Sequence, residues 1–181
     1  MARAKKALRA GLVVLLCGVG PSVAHAWDEP KGLQGIPWGA SQATAEKHLA
    51  LRCMTDEGCL GPTLMIRTAK GLVPTKLLLR FEPGGGGLEA YSMRFAPEDF
   101  ELLRAAFIEL YGKPTLPPSR AKGSGLENEM LYWKGEAVVI QLNKYVNVNE
   151  GLTARGIAIV ETRKAWQRKQ DTKSGQKGRK P

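Results

Sequence analysis

One stretch of this 181-residue chain carries an unambiguous period, and the rest has to be arranged around it: PEDFELLRAAFIELYGKP, residues 97–114. Phe100, Leu103, Phe107 and Leu110 recur at steps of three and four, which puts them on one stripe of a helix, with Ala106 and Tyr111 beside it. Pro97 suits a first helical position, because the N–H it lacks would have no intrahelical partner there. Glu98 and Asp99 set negative charge against the positive end of the helix dipole. Gly112 can take the left-handed conformation that closes a helix, and Pro114 keeps it from resuming. Each buried Phe or Leu on the stripe contributes at most about 1.5–3 kcal/mol. The segment is a core element, with Glu101, Arg104 and Glu109 as its wet side.

The N-terminal 26 residues have the three parts of a cleaved signal peptide. Arg3, Lys5, Lys6 and Arg9 open it, an apolar run follows from Gly11 to Gly20, and Ala24 and Ala26 supply the small residues a signal peptidase reads. The apolar run is too short to span a bilayer, which takes about 20 residues. Cys17 follows Leu16, where a lipoprotein signal would carry a small residue, so cleavage before Trp27 is expected instead of lipidation. The mature chain then keeps one histidine, His48, and one pair of cysteines, Cys53 and Cys59. In an exported chain that pair reads as a disulfide closing a short loop. A redox site would use C-x-x-C, and a metal would need further soft ligands, so no metal or cofactor is expected.

The formal net charge of +10 is carried by the two ends. The leader holds +4 and residues 163–181 hold +7, leaving −1 for residues 27–162. A case for nucleic-acid binding from overall charge would therefore be mistaken, and such a partner is not expected.

Taken in order, Ser41 is a good N-cap for a short helix over 42–51, with Trp38 packing at its entry. Three strand-like segments follow at 63–68, 76–81 and 88–95, alternating Leu64 and Ile66 against Met65 and Arg67, Leu77, Leu79 and Phe81 against Leu78 and Arg80, and Tyr91, Met93 and Phe95 against Ser92 and Arg94. The Pro83–Gly87 run between the last two reads as a hairpin connection; no Lys-Ser/Thr closes it as a phosphate loop would require. After the long helix, a Pro- and Gly-rich loop over 113–125 leads to strand-like segments at 129–134, 137–143 and 152–162. A helix and three strands are thus written twice, which suggests duplicated α-β-β-β units over 36–95 and 96–162. The expected fold is α+β: an antiparallel sheet of about six strands with two helices on one face. Residues 27–162 form one domain, and 163–181 form a disordered basic tail.

Ile-Pro-Trp-Gly at 36–39 with Ser41, Tyr-Gly-Lys-Pro at 111–114 and the isolated Trp133 resemble motifs of small exported bacterial proteins of uncharacterised function. The layout is similar, more distantly, to the β-lactamase-inhibitor-like and outer-membrane-assembly small lipoprotein folds. The resemblance implies helices covering one face of an antiparallel sheet and an accessory role in the cell envelope. It carries no catalytic residues over.

Catalysis is hard to assemble from these residues. His48 has no motif serine near it, Asp56 and Glu57 are too few for a calcium site, and Glu127 and Glu129 would share one side of a strand as a solvated face. Two binding surfaces are better motivated. Alternation sends Arg67, Arg80 and Arg94 to the sheet face away from the helices, as a patch for an acidic partner or as ordinary solvated arginines. In the tail, Trp166 with Arg168 and Lys169 is the combination expected where a chain meets an anionic envelope surface. The reading is an exported, periplasmic or secreted, non-enzymatic binding or accessory protein, with a protein partner or an anionic surface held by the tail. A small secreted hydrolase, or an inhibitor of one, is the alternative.

Overall fold

Alternating apolar residues build most of this molecule, and they build more sheet than their runs alone suggest. The structure, a computed structural model, describes residues 27–54, 58–123, 126–147 and 153–177. The expected leader, Asp56, Glu57 and the side chain of Glu127 lie outside the described residues. In chain order the elements are β1 (Gly32–Leu33), β2 (Ile36–Pro37), α1 (Gln42–His48), β3 (Arg52–Met54), β4 (Gly58–Thr68), β5 (Gly71–Phe81) and β6 (Leu88–Phe95). A 3₁₀ turn (Pro97–Asp99) then leads into α2 (Phe100–Tyr111), followed by β7 (Leu116–Gly123), β8 (Leu126–Lys134), β9 (Val138–Asn147), β10 (Thr153–Thr162) and α3 (Arg163–Lys177). β1 and β2 pair with each other. The other eight strands form one antiparallel sheet in the order β3-β4-β5-β6-β10-β9-β8-β7.

The expected six-stranded sheet with two helices on one face is therefore corrected in three ways. The sheet has eight strands, because β3 forms beside the disulfide and β7 runs through the Pro- and Gly-rich segment expected to be a loop. A third helix occupies the segment expected to be a disordered tail. Each of the first two helices is followed by a meander of four strands, not three, so the α-β-β-β unit does not describe the chain. The two meanders meet where β6 pairs with β10.

One face of the sheet, the inner face, holds the core. Leu77 and Leu79, Tyr91 and Met93, Ala158 and Val160, and Ile140 and Leu142 line successive strands beneath Phe100, Leu103 and Phe107 of α2. α2 follows its expected stripe for two turns, but Leu110 is 62 % exposed. Tyr111 packs in its place, edge-on to Phe107 and to Trp27. Gly112 ends the helix not in the expected left-handed helical conformation but at φ 74° and ψ −168°, an extended positive-φ geometry essentially reserved for glycine, and its carbonyl accepts from the indole N–H of fully buried Trp133 at 2.8 Å. At the other helix, Ser41 Oγ accepts from the Thr44 N–H as an N-cap should, and Trp38 stacks on Tyr91 with ring centroids 5.7 Å apart.

Candidate binding surface

The outer face is defined by register. Arg80, Ala90, Glu161, Val139 and Lys134 form one row across five strands, with Glu89 beside Ala90 at a bulge between β5 and β6. α3 starts as soon as β10 ends, because Thr162 Oγ1 accepts from the Ala165 N–H as an N-cap. It lies across this row. Ala165 is buried, Lys134 stands 4.8 Å over the Trp166 ring, and Arg163 donates to the Gly135 carbonyl at 2.7 Å.

Charge holds the rest of α3 down. Arg168 donates to Glu89, Lys169 to Glu161, and Lys164 to Glu82 at 2.8 Å. Arg80 bridges the two deeper carboxylates, with Nε 3.1 Å from Glu89 and an Nη 3.2 Å from Glu161. Gln141 completes the set around Glu161, which has no solvent exposure. The Glu82 carboxyl is held below its ordinary 4.5 by the hydrogen bond and charge of Lys164, with Arg168 adding a smaller effect. Helices thus cover both faces of the sheet, not one.

The expected site residues divide accordingly. Arg67, Arg80 and Arg94 do share the outer face, but they are strung along it. Arg94 stands opposite Lys76, four residues from Arg80 on β5, and Arg67 stands opposite Leu72, four residues further on. Each interval is about 13 Å at strand rise. Arg80 is tied into the cluster under α3, whereas Arg67 and Arg94 are exposed. Trp166, Arg168 and Lys169 face the sheet's own tryptophan-stacking lysine and carboxylates. Cys53 and Cys59 form the expected disulfide, directly opposite each other in the β3–β4 register.

What the sequence reading missed is the character of β3, β4 and β5 together. Their strand residues include Arg52, Arg67, Lys76 and Arg80 and not one Asp or Glu. On the outer face of the same strands, Met54, Leu60, Met65 and Leu72 are each more than two-fifths exposed. The absence of acids across those three strands was the signal available. By contrast, the β8–β9 part of this face is rich in amides: Asn128, Gln141 and Asn143. Where β6 stops at Phe95 and β5 runs on to Gly71, a cleft of about 430 Å³ opens, rimmed by Lys76, Arg94, Pro74 and Asp99.

Catalytic geometry does not emerge from the described residues. His48 is exposed at the end of α1. Glu129 lies on the inner face, where it binds Arg104 of α2 and Arg120 of β7. Among the described residues there is no group of three or more His, Cys, Asp or Glu that could hold a metal, and no helix long and apolar enough to cross a membrane. The architecture defines a helix-covered antiparallel sheet with one exposed apolar and cationic quarter. Comparison with protein-family models, curated proteins and solved structures found no match to this chain.

Proposed function

We propose that this is an exported, non-enzymatic binding protein of the bacterial cell envelope, which holds an acidic protein partner against the outer face of β3–β5. One observation carries the reading: exposed Met54, Leu60, Met65 and Leu72 lie among cations, on strands without a single acid. Apolar side chains supply contact energy, and the cations select the partner's sign and speed the encounter. Export is supported by the signal-like leader and by the disulfide, which persists in oxidising compartments. Tail cations bound to Glu82, Glu89 and Glu161 favour this face over the tail as the partner's seat.

The test is capture from an envelope fraction by the full mature chain, in parallel with Arg67→Glu/Lys76→Glu/Arg94→Glu. Specific capture that weakens by about tenfold or more in the reversed variant, and falls with added salt, is expected. A partner retained equally by both proteins overturns the proposal.

A further inference from the structure

The two edges of the sheet are unlike. At one edge, β7 carries Pro117 and Pro118, which offer no N–H to an incoming strand. At the other edge, β3 covers only Gly58 to Leu60 of β4, and a register shift follows at Gly61 and Pro62. Beyond that shift, Thr63 to Thr68 pair with β5 on one side and with no strand among the described residues on the other.

Register says which groups point outward. The turn at Ala69 and Lys70 makes Thr68 and Gly71 the closing pair, which in a two-residue hairpin is hydrogen-bonded. Antiparallel pairs alternate, so Ile66–Val73 and Leu64–Thr75 bond inward, and Thr75 Oγ1 also donates to the Leu64 carbonyl at 3.1 Å. The N–H and C=O groups of Thr63, Met65 and Arg67 are then left facing away from the sheet. Pro74, opposite Met65, sits at a non-bonded position where its missing N–H costs the ladder nothing.

We propose that this edge of β4 is a strand-addition site, which takes an extended apolar and acidic segment of a protein partner as a ninth, antiparallel strand. The inference rests on the binding surface proposed above and names how the partner engages it. Main-chain bonds to Thr63, Met65 and Arg67 give affinity, and the flanking side chains give sequence preference. The residue opposite Arg67 is acidic, and the residue opposite Met65 is apolar because it extends the exposed Met65 and Leu72 patch. Residues opposite Leu64 and Ile66 continue the core face and are apolar as well. A second copy of this chain is a poor occupant, since joining two β4 edges would gather Arg52, Arg67 and Lys70 of both copies without an acid from the described strands.

The probe is a fluorescent peptide, Asp-Asp-Glu-Val-Leu-Val-Thr, whose Glu would stand opposite Arg67 and whose Leu would stand opposite Met65. Binding to the oxidised mature chain is read by anisotropy. Met65→Pro removes an outward N–H without taking a bond from the β4–β5 ladder, and it is expected to weaken binding about tenfold or more. Methylating the Leu amide of the peptide is expected to do the same, while methylating either Val amide, which would point to solvent, leaves binding intact. Equal binding of all the methylated peptides, or no binding of the parent peptide, overturns the inference even if Met65→Pro fails to fold. A concentration-dependent dimer of the parent chain that Met65→Pro dissolves would also overturn it, in favour of self-pairing. Loss of partner capture on charge reversal together with its retention in Met65→Pro would leave the binding surface standing and remove the edge.

Discussion

Arg80 on β5 and Glu161 on β10 are 81 residues apart in sequence, and the guanidinium donates to the fully buried carboxylate at 3.2 Å. Between them runs β6, whose Ala90 is small enough to let the two side chains meet over it. The same guanidinium holds Glu89, so one side chain ties β5, β6 and β10 together beneath α3. Removing it leaves Glu161 with Gln141 and Lys169 and leaves Glu89 with Arg168. Arg80→Met is expected to lower unfolding stability by about 1–3 kcal/mol, because a buried acceptor loses a charged donor. Urea unfolding measures this. A change below about 0.5 kcal/mol, the scale of an ordinary surface substitution, would show that the cluster does not brace the sheet.

α3 is attached chiefly by charge, and that makes its docking sensitive to salt and acid. In the α3 sequence the large or buried apolar side chains are Ala165, which is buried, and Trp166, which meets Lys134 and Arg163, against pairs made by Lys164, Arg168 and Lys169. Lys164 lowers the Glu82 carboxyl from 4.5, so that pair favours the docked helix above this value and is lost as pH falls through the lowered one. In about 1 M salt, or once the pH has fallen below the lowered Glu82 value, α3 amides are expected to exchange with solvent while β9 and β10 stay protected. Protection of α3 that is indifferent to both conditions would mean that apolar packing holds it.

Legibility in the sequence followed the strength of local pattern. The 97–114 helix, the Ser41 cap, the disulfide and the outer-face parity of Arg67, Arg80 and Arg94 could all be read from spacing. β3 is only three residues beside the disulfide and carries no pattern of its own; β7 is hidden by its prolines, and β4 and β5 begin several residues before the expected 63 and 76, on the far side of Pro62 and Pro74. Each of these prolines sits where no ladder donor is needed. Pro62 falls at a register shift on an edge strand, Pro74 at a non-bonded position, and Pro117 and Pro118 on the opposite edge. Neighbouring strands, not local sequence, decide whether such positions are tolerated. The tail escaped for a related reason. Its composition cannot build a core alone, but its Lys, Arg, Gln and Ala residues form a helix readily once Glu82, Glu89 and Glu161 give it a seat. A near-neutral net charge over residues 27–162 concealed that seat, because the acids that matter are gathered at one place.

Alkaline pH should find a weak point in the aromatic core. Burial raises the Tyr91 hydroxyl well above its ordinary 10.0, with Tyr111 adding to the effect, and burial raises Tyr111 too. A buried neutral phenol supports the fold fully below 10.0, and its contribution is lost as pH rises from there toward the raised folded-state value. Stability should therefore be level through neutral pH and fall above about pH 10. Tyr91→Phe keeps the ring against Trp38 and removes the ionisable group. The substitution is expected to leave stability near pH 8 within about 0.5 kcal/mol and to make the alkaline decline shallower. An unchanged decline in that variant would assign the loss to other groups.

At the β8–β9 turn, the Glu29 carboxylate accepts three consecutive backbone N–H groups, from Glu136 at 2.7 Å, Ala137 at 2.9 Å and Val138 at 2.7 Å. The turn leaves room for it only because residue 135 is glycine: a Cβ there would stand 2.3 Å from the Glu29 carboxyl carbon. This clamp fixes the start of the described chain to a turn more than a hundred residues away, and it holds Trp27 where it meets Tyr111. Glu29→Ala should cost about 1–2 kcal/mol, since two of the three N–H groups can turn to water and one is partly buried. Gly135→Ala should cost a similar amount by pushing the carboxylate out of the turn. Because both changes break one contact, the double variant should be no less stable than Glu29→Ala alone, giving an interaction energy of about 1 kcal/mol in a double-mutant cycle. Additive losses would mean that Gly135 matters for its own backbone and not for the space it leaves to Glu29.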